Sequence, residues 1–227
     1  MGNPFTLASA EVSEPAVPKG ITFLVGGAQT PLAEYNNIRD VLLERQQVVI
    51  ALFTSVLTVW DYQAKMVEAI PKILDEYREK NPDLPRDYSL VGHSAGGKVV
   101  LLLASYTKGD SHPPIRQVLA LDPVDMNPTD FANGKRNLES TAAQRITITW
   151  AEGTSSWSIP RRYNASTIHD ATAAAPALDA LVVHERAGHF AYCDNNGGIL
   201  GWLMVGGDRE HNEKAREDAH RLIRELF

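Results

Sequence analysis

The 227-residue chain contains one cysteine, Cys193. No internal disulfide can form, so the fold must rest on its core, as suits a reducing compartment. No apolar stretch approaches the length of a bilayer span. The first twenty residues lack the basic-then-apolar pattern of a secretory signal. Met1-Gly2-Asn3-Pro4-Phe5-Thr6 matches the loose N-myristoylation pattern, which is short enough to arise by chance. These absences favour an intracellular protein. A strong charge of one sign is also missing. The 22 Lys and Arg stand against 28 Asp and Glu, for a formal charge of −6, and no segment gathers the basic residues. A nucleic acid is therefore a disfavoured partner.

Repeats and low-complexity tracts are absent too. Hydrophobic residues at 44% and charged residues at 22% are the balance of a folded globular chain, and the length suits a single domain over residues 1–227. After a polar, Pro-bearing lead-in over residues 1–20, short apolar runs alternate with helical patterns. Strands are expected at Ile21–Val25, Val48–Phe53, Tyr88–Val91, Gln117–Leu121, Arg145–Trp150 and Leu178–His184. Helices are expected at Glu34–Gln46, Asp61–Lys80 with a kink at Pro71, Gly96–Tyr106 and Asn212–Phe227. The strands are almost continuously apolar, which predicts a mostly parallel α/β sheet with helices on both faces. Two long, turn-rich stretches, 123–144 and 153–177, follow strands at the carboxyl edge, where such sheets place their sites.

Gly92-His93-Ser94-Ala95-Gly96 lies directly between the apolar run Tyr88–Val91 and the helical pattern that begins at Gly96. This strand–turn–helix context turns a short G-x-S-x-G match into a nucleophile elbow and predicts the α/β-hydrolase fold, with Ser94 as nucleophile. Glycines flank the serine because neighbouring backbones leave no room for a Cβ. The following helix points its amino end at Ser94.

A serine hydroxyl needs a base. Of seven histidines, His189 in Ala187-Gly188-His189-Phe190 follows the last apolar run and fits the fold's chain order of serine, acid, histidine. His184 reads as a packed histidine, and His93 as one whose side chain points away from the site. His112, His169, His211 and His220 read as solvated. For the acid, Asp122 closes one strand and Glu152 follows the next, and position alone leaves the two level. The oxyanion hole takes one backbone N–H from Ala95 and one from the loop Gly26-Gly27-Ala28-Gln29, with Ala28 the expected donor.

Val91-Gly92-His93-Ser94-Ala95-Gly96-Gly97-Lys98, Leu119-Ala120-Leu121-Asp122-Pro123-Val124-Asp125 and Ala187-Gly188-His189 together resemble the chlorophyllases, α/β-hydrolases that cleave the phytyl ester of chlorophyll. The likeness runs over roughly residues 20–200 of the sequence. It implies that the triad acid is Asp122, and a location in cytoplasm or plastid. The chain has Ala95 where that family usually carries Arg, and Gly26-Gly27 where a His-Gly pair is usual.

The implied reaction is ester hydrolysis through an acyl-enzyme, which requires no metal and no organic cofactor. Gly27, Phe53, Met126, Trp157 and Phe190 are the candidate substrate contacts, an apolar rim suited to a small hydrophobic ester. The alternatives are a general esterase, lipase or thioesterase, and a catalytically silent binding module of the same fold.

Overall fold

The computed structural model describes residues 3–54, 62–105, 113–125, 129–141, 143–154, 159–195 and 206–227. Seven strands form one sheet: β1 (Glu11–Ser13), β2 (Gly20–Ala28), β3 (Gln47–Thr54), β4 (Tyr88–His93), β5 (Ile115–Leu121), β6 (Ala143–Ala151) and β7 (Val182–His184). Their order is β1-β3-β2-β4-β5-β6-β7, with β1 antiparallel to β3 and every other pair parallel. Five α-helices are described, α1 (Asn36–Glu44), α2 (Tyr62–Lys80), α3 (Ala95–Ala104), α4 (Ala165–Ala171) and α5 (Arg209–Leu226). The architecture is that of the α/β-hydrolase fold.

Period-two alternation decides which side chain enters which core. In β2, Ile21, Phe23 and Val25 pack on one face of the sheet, with Met66, Ile70 and Ile73 of α2 and Val99 and Val100 of α3. Leu24 packs on the other face, with Ile38 and Leu42 of α1 and Ile223 of α5. Both faces are covered, which is why β4 is buried along its whole length.

The strand order positions the site. From β2 the chain moves outward to β3, then returns past β2 to β4 and continues in the opposite direction. The carboxyl ends of β2 and β4 therefore flank the topological switch point, where open parallel sheets leave a crevice. Val25 pairs with Gly92 across this junction. The register of β2 against β3 shifts between Val25 and Ala28, a bulge that carries Gly26 and Gly27 out of regular pairing.

Three elements differ from the sequence reading. The lead-in contributes β1, whose three residues pair with Val49, Ile50 and Ala51 of β3, and Pro15 and Pro18 follow that short edge strand. The expected strand Leu178–His184 narrows to Val182–His184. Leu178 makes an isolated bridge to Ile146, the Asp179 amide donates to Ile146 O, and its carboxylate turns to Arg145 and Thr147; regular pairing resumes at Val182. The stretch 153–177 holds α4, started by the Asn164 side chain accepting from the Thr167 amide at 3.0 Å. The ends of two expected helices, Asp61 and Tyr106, lie outside the described residues.

Candidate active site

Ser94 stands at the turn between β4 and α3 with φ 57° and ψ −121°, a conformation that L-residues rarely adopt. Its neighbours hold it there. The Ser94 amide donates to Leu121 O at 3.0 Å, and Ser94 O accepts from the amides of Lys98 and Val124. A Cβ on Gly92 would collide with the Gly96 carbonyl, and one on Gly96 with the Val25 carbonyl. Both glycines are required by close backbone approach.

Positive φ recurs around this centre. Gln29 follows the Gly26-Gly27-Ala28 turn, Asp122 ends β5, and Arg186 precedes the His189 segment, with φ of 59°, 41° and 59°. Four of the five described non-glycine residues of this kind thus stand on the segments expected to supply the reaction. The fifth, Gln46, lies just past the end of α1. Strain of this kind persists only where surrounding bonds over-determine it.

Asp122 is fixed on both sides. Its amide donates to Thr149 O at 3.1 Å and to Thr149 Oγ1 at 3.2 Å, and its Oδ1 accepts from the Ala151 amide at 3.1 Å. Its Oδ2 accepts from His189 Nδ1 at 2.6 Å. Both residues are 3% exposed. Among the described histidines, His189 alone has a ring nitrogen within hydrogen-bond distance of a buried carboxylate. Glu152 is exposed and lines, with Asp122, Trp150, Thr154 and Arg161, a cavity of about 450 Å³ at the carboxyl ends of β5 and β6.

The remaining expected residues fall as follows. Ala28 ends β2 half-buried, and Ala95 is buried as the first residue of α3. Gly27 is a point of close approach: a Cβ there would lie 3.1 Å from Ser94 Cβ and 3.1 Å from Tyr35 Oη. Phe53 reaches the carboxyl edge of β3 and is 40% exposed, whereas Phe190 packs edge-on to the His189 ring. Met126 and Trp157 lie outside the described residues. His184 is buried against the Tyr192 hydroxyl, as expected of a packed histidine. His169, His211 and His220 each have a protein hydrogen-bond partner rather than solvent alone, and His112 lies outside the described residues.

Two groups escaped the sequence reading. His93 does not point away: it is fully buried, its ring 4.8 Å from that of His189. Burial first, and the neighbouring His189 second, push its pKa well below the usual histidine value. Its partner Tyr35 is equally buried, which raises the phenol's pKa. Nothing along the chain marks Tyr35, because a lone aromatic before a helix has no pattern to declare it. The second group explains the second Asp of Asp122-Pro123-Val124-Asp125. Asp125 and Lys98 are fully buried and 3.1 Å apart, with Asp130 2.7 Å from the same ammonium. Asp125 also accepts from the amides of Asp130, Phe131 and Ala132, which ties the loop after β5 to α3.

Among the described residues no helix is long and apolar enough to cross a membrane, and no group of three or more His, Cys, Asp or Glu could hold a metal ion.

The chain belongs to the family of the PGAP1-like alpha/beta domain, whose model matches residues 51–168. That span contains Ser94 and Asp122; Ala28 and His189 lie outside it. No curated protein matches the chain in sequence. Among solved structures it is similar to Est1E from Butyrivibrio proteoclasticus, at 12% identity and a TM-score of 0.64, over 96% of this chain and 93% of that one. It is similar also to esterase PE8, at 12% identity and a TM-score of 0.61, over 96% and 99% of the two chains. A third is the dienelactone hydrolase-like promiscuous phosphotriesterase P91 from metagenomic libraries, at 11% identity and a TM-score of 0.62, over 96% and 99%. At such identities the likeness shows the shared fold.

Proposed function

We propose that this member of the PGAP1-like alpha/beta domain family is a serine carboxylic-ester hydrolase. The reading is carried by one observation: the buried 2.6 Å bond between Asp122 Oδ2 and His189 Nδ1, at the end of the strand next to the Ser94 elbow. With Nδ1–H committed to the carboxylate, Nε2 of a neutral His189 is the ring atom left to take a proton.

His189 removes the Ser94 proton as Oγ attacks the ester carbonyl, and the carbonyl π electrons move onto oxygen. The amides of Ala28 and Ala95 stabilise that oxyanion. The tetrahedral intermediate collapses, the C–O bond to the alcohol breaks, and His189 protonates the leaving oxygen. Water, deprotonated by the same histidine, then attacks the acyl-serine; the acyl C–O bond to Ser94 breaks, the acid leaves and His189 returns the proton to Ser94 Oγ. Asp122 holds the tautomer and stabilises the imidazolium throughout. Side chains and water supply every proton.

A small hydrophobic ester is the proposed substrate class, supported by Phe53 exposed at the carboxyl edge and Phe190 beside His189. The Leu119–Asp125 motif supports a chlorophyllase-like enzyme within that class. Ala95, in place of the arginine usual in chlorophyllases, favours a general esterase instead, in keeping with neighbours named as esterases. Release of p-nitrophenol from short acyl esters by wild type and Ser94→Ala tests the nucleophile: activity in the wild type alone is expected. Equal activity, or none in either, overturns the reading. Incubation with chlorophyll beside a simple ester, scored for chlorophyllide, separates the two substrate classes.

A further inference from the structure

Three hydrogen bonds of 2.8 Å join the loop before Ala28 to the backbone of His189. The Gly27 amide donates to Tyr35 Oη, Tyr35 Oη meets His93 Nδ1, and His93 Nε2 meets His189 O. The direction of the protons is forced. A carbonyl only accepts, so His93 Nε2 carries hydrogen. Burial keeps the ring neutral, so Nδ1 accepts, and the Tyr35 hydroxyl donates to it while accepting from Gly27. In the other neutral tautomer the Nε2 lone pair would face the His189 carbonyl, two buried acceptors opposed with no proton between them.

We propose that Tyr35 and His93 are positioning residues that set the distance between the oxyanion loop and the histidine base, by holding Gly27 at one end of this chain and His189 at the other. The assignment rests on the proposed hydrolase reading. Its geometric basis extends beyond the three bonds. Gly27 packs where Ser94, Tyr35 and His93 meet, so a shift of the tyrosine moves the loop directly against the nucleophile. The His93 ring lies tilted beside His189, centroids 4.8 Å apart at an interplanar angle of 35°, and offers it a neutral neighbour when it becomes imidazolium. Tyr35 is itself anchored to the chain that follows His189. Glu34 O accepts from the Asp194 amide at 2.8 Å, Glu34 Oε2 accepts from the Asn195 amide at 2.8 Å, and the Asn37 side chain donates to Tyr192 O and to Asp194. The segment 34–37 thus holds the chain just after His189, at residues 192–195. A serine hydrolase gains from this because a displacement of about 1 Å between base, nucleophile and oxyanion donors costs on the order of 100-fold in rate.

The test compares wild type, Tyr35→Phe, His93→Gln and His93→Leu on p-nitrophenyl butyrate, with active sites counted by phosphonate labelling. Tyr35→Phe and His93→Leu are expected to lose about 10- to 100-fold in kcat per labelled site, with KM within about twofold of wild type. His93→Gln keeps an amide N–H that reaches His189 O and is expected to recover about tenfold over His93→Leu. A packing role alone would lower the melting temperature and the fraction of labelled sites but leave kcat per site unchanged; that result overturns the proposal. Equal kcat for His93→Gln and His93→Leu overturns it as well. Should Tyr35→Phe not fold, the His93 pair decides. A wild type inert on every ester overturns the hydrolase reading and this role with it, whereas an active wild type with unaltered variants overturns only the role.

Discussion

His189 Nδ1 lies 2.6 Å from Asp122 Oδ2, across 67 residues of sequence, and both side chains are almost sealed from water. A charge-assisted bond of this length in a dry site is stronger than its exposed counterpart. It also leaves the second carboxylate oxygen engaged with the Ala151 amide, so the acid cannot swing away without breaking a bond to β6.

The acid can be assigned by kinetics. Asp122→Asn keeps the shape but offers His189 the wrong tautomeric partner, and kcat should fall by about 10⁴-fold. Glu152→Gln should stay within about threefold of wild type, because that side chain is exposed and Asp122, not Glu152, holds the His189 ring. Comparable losses in both variants would remove Asp122 from the mechanism.

The buried ammonium of Lys98 predicts a stability effect apart from chemistry. Lys98→Met leaves Asp125 buried with its counter-charge removed, at a cost of about 3–5 kcal/mol. For a chain of this size each kcal/mol shifts the melting temperature by about 2–4 °C, so calorimetry should record a fall of roughly 6–20 °C. An unchanged melting temperature would mean that the pair contributes nothing.

Acid should destabilise the fold through its buried histidines. His93 and His184 have pKa values lowered by burial, while unfolded histidine titrates near 6.5. Below that value the unfolded chain binds protons that the folded chain refuses, so stability is lost as pH falls. Each such histidine contributes a slope of up to about 1.4 kcal/mol per pH unit. Urea denaturation at pH 7.5 and 5.5 measures it, and His93→Gln should flatten the slope.

Cys193 is fully buried, and burial pushes its thiol up to about 12. A disulfide reagent at pH 8 should label it only at the rate of unfolding, with full stoichiometry in denaturant. Fast labelling of native protein would show that the histidine segment opens.

Gly96→Ala places a methyl against the Val25 carbonyl, where no flexible side chain can yield. The elbow must distort, and we expect loss of ester hydrolysis together with a lower melting temperature. Retained activity would mean that β2 and α3 can separate without cost.

The apolar runs of β2 to β6 and the amphipathic pattern of α5 were legible along the chain because each depends on a local period matched to burial on one or two faces. Ser94 was legible for the same reason, since an elbow needs glycines at fixed local spacing. The edge strand β1 was not, because three partly polar residues have no period, and only pairing with β3 orders them.

Local pattern along the chain specifies the α/β alternation, the serine at a strand-to-helix turn and the placing of a histidine after the last strand. It left Asp122 and Glu152 level, because both follow strand ends and a linear pattern does not say which way a carboxylate turns. Packing of β5 against β6 sets that geometry: Asp122 takes a positive φ, donates its amide to Thr149, accepts from Ala151 and turns inward to His189, while Glu152 is exposed past the end of β6. Tertiary structure also placed Tyr35 and His93, 58 residues apart, in one buried chain of hydrogen bonds. Pairings over such distances are set by how strands stack at the switch point of the sheet, and no local propensity records that.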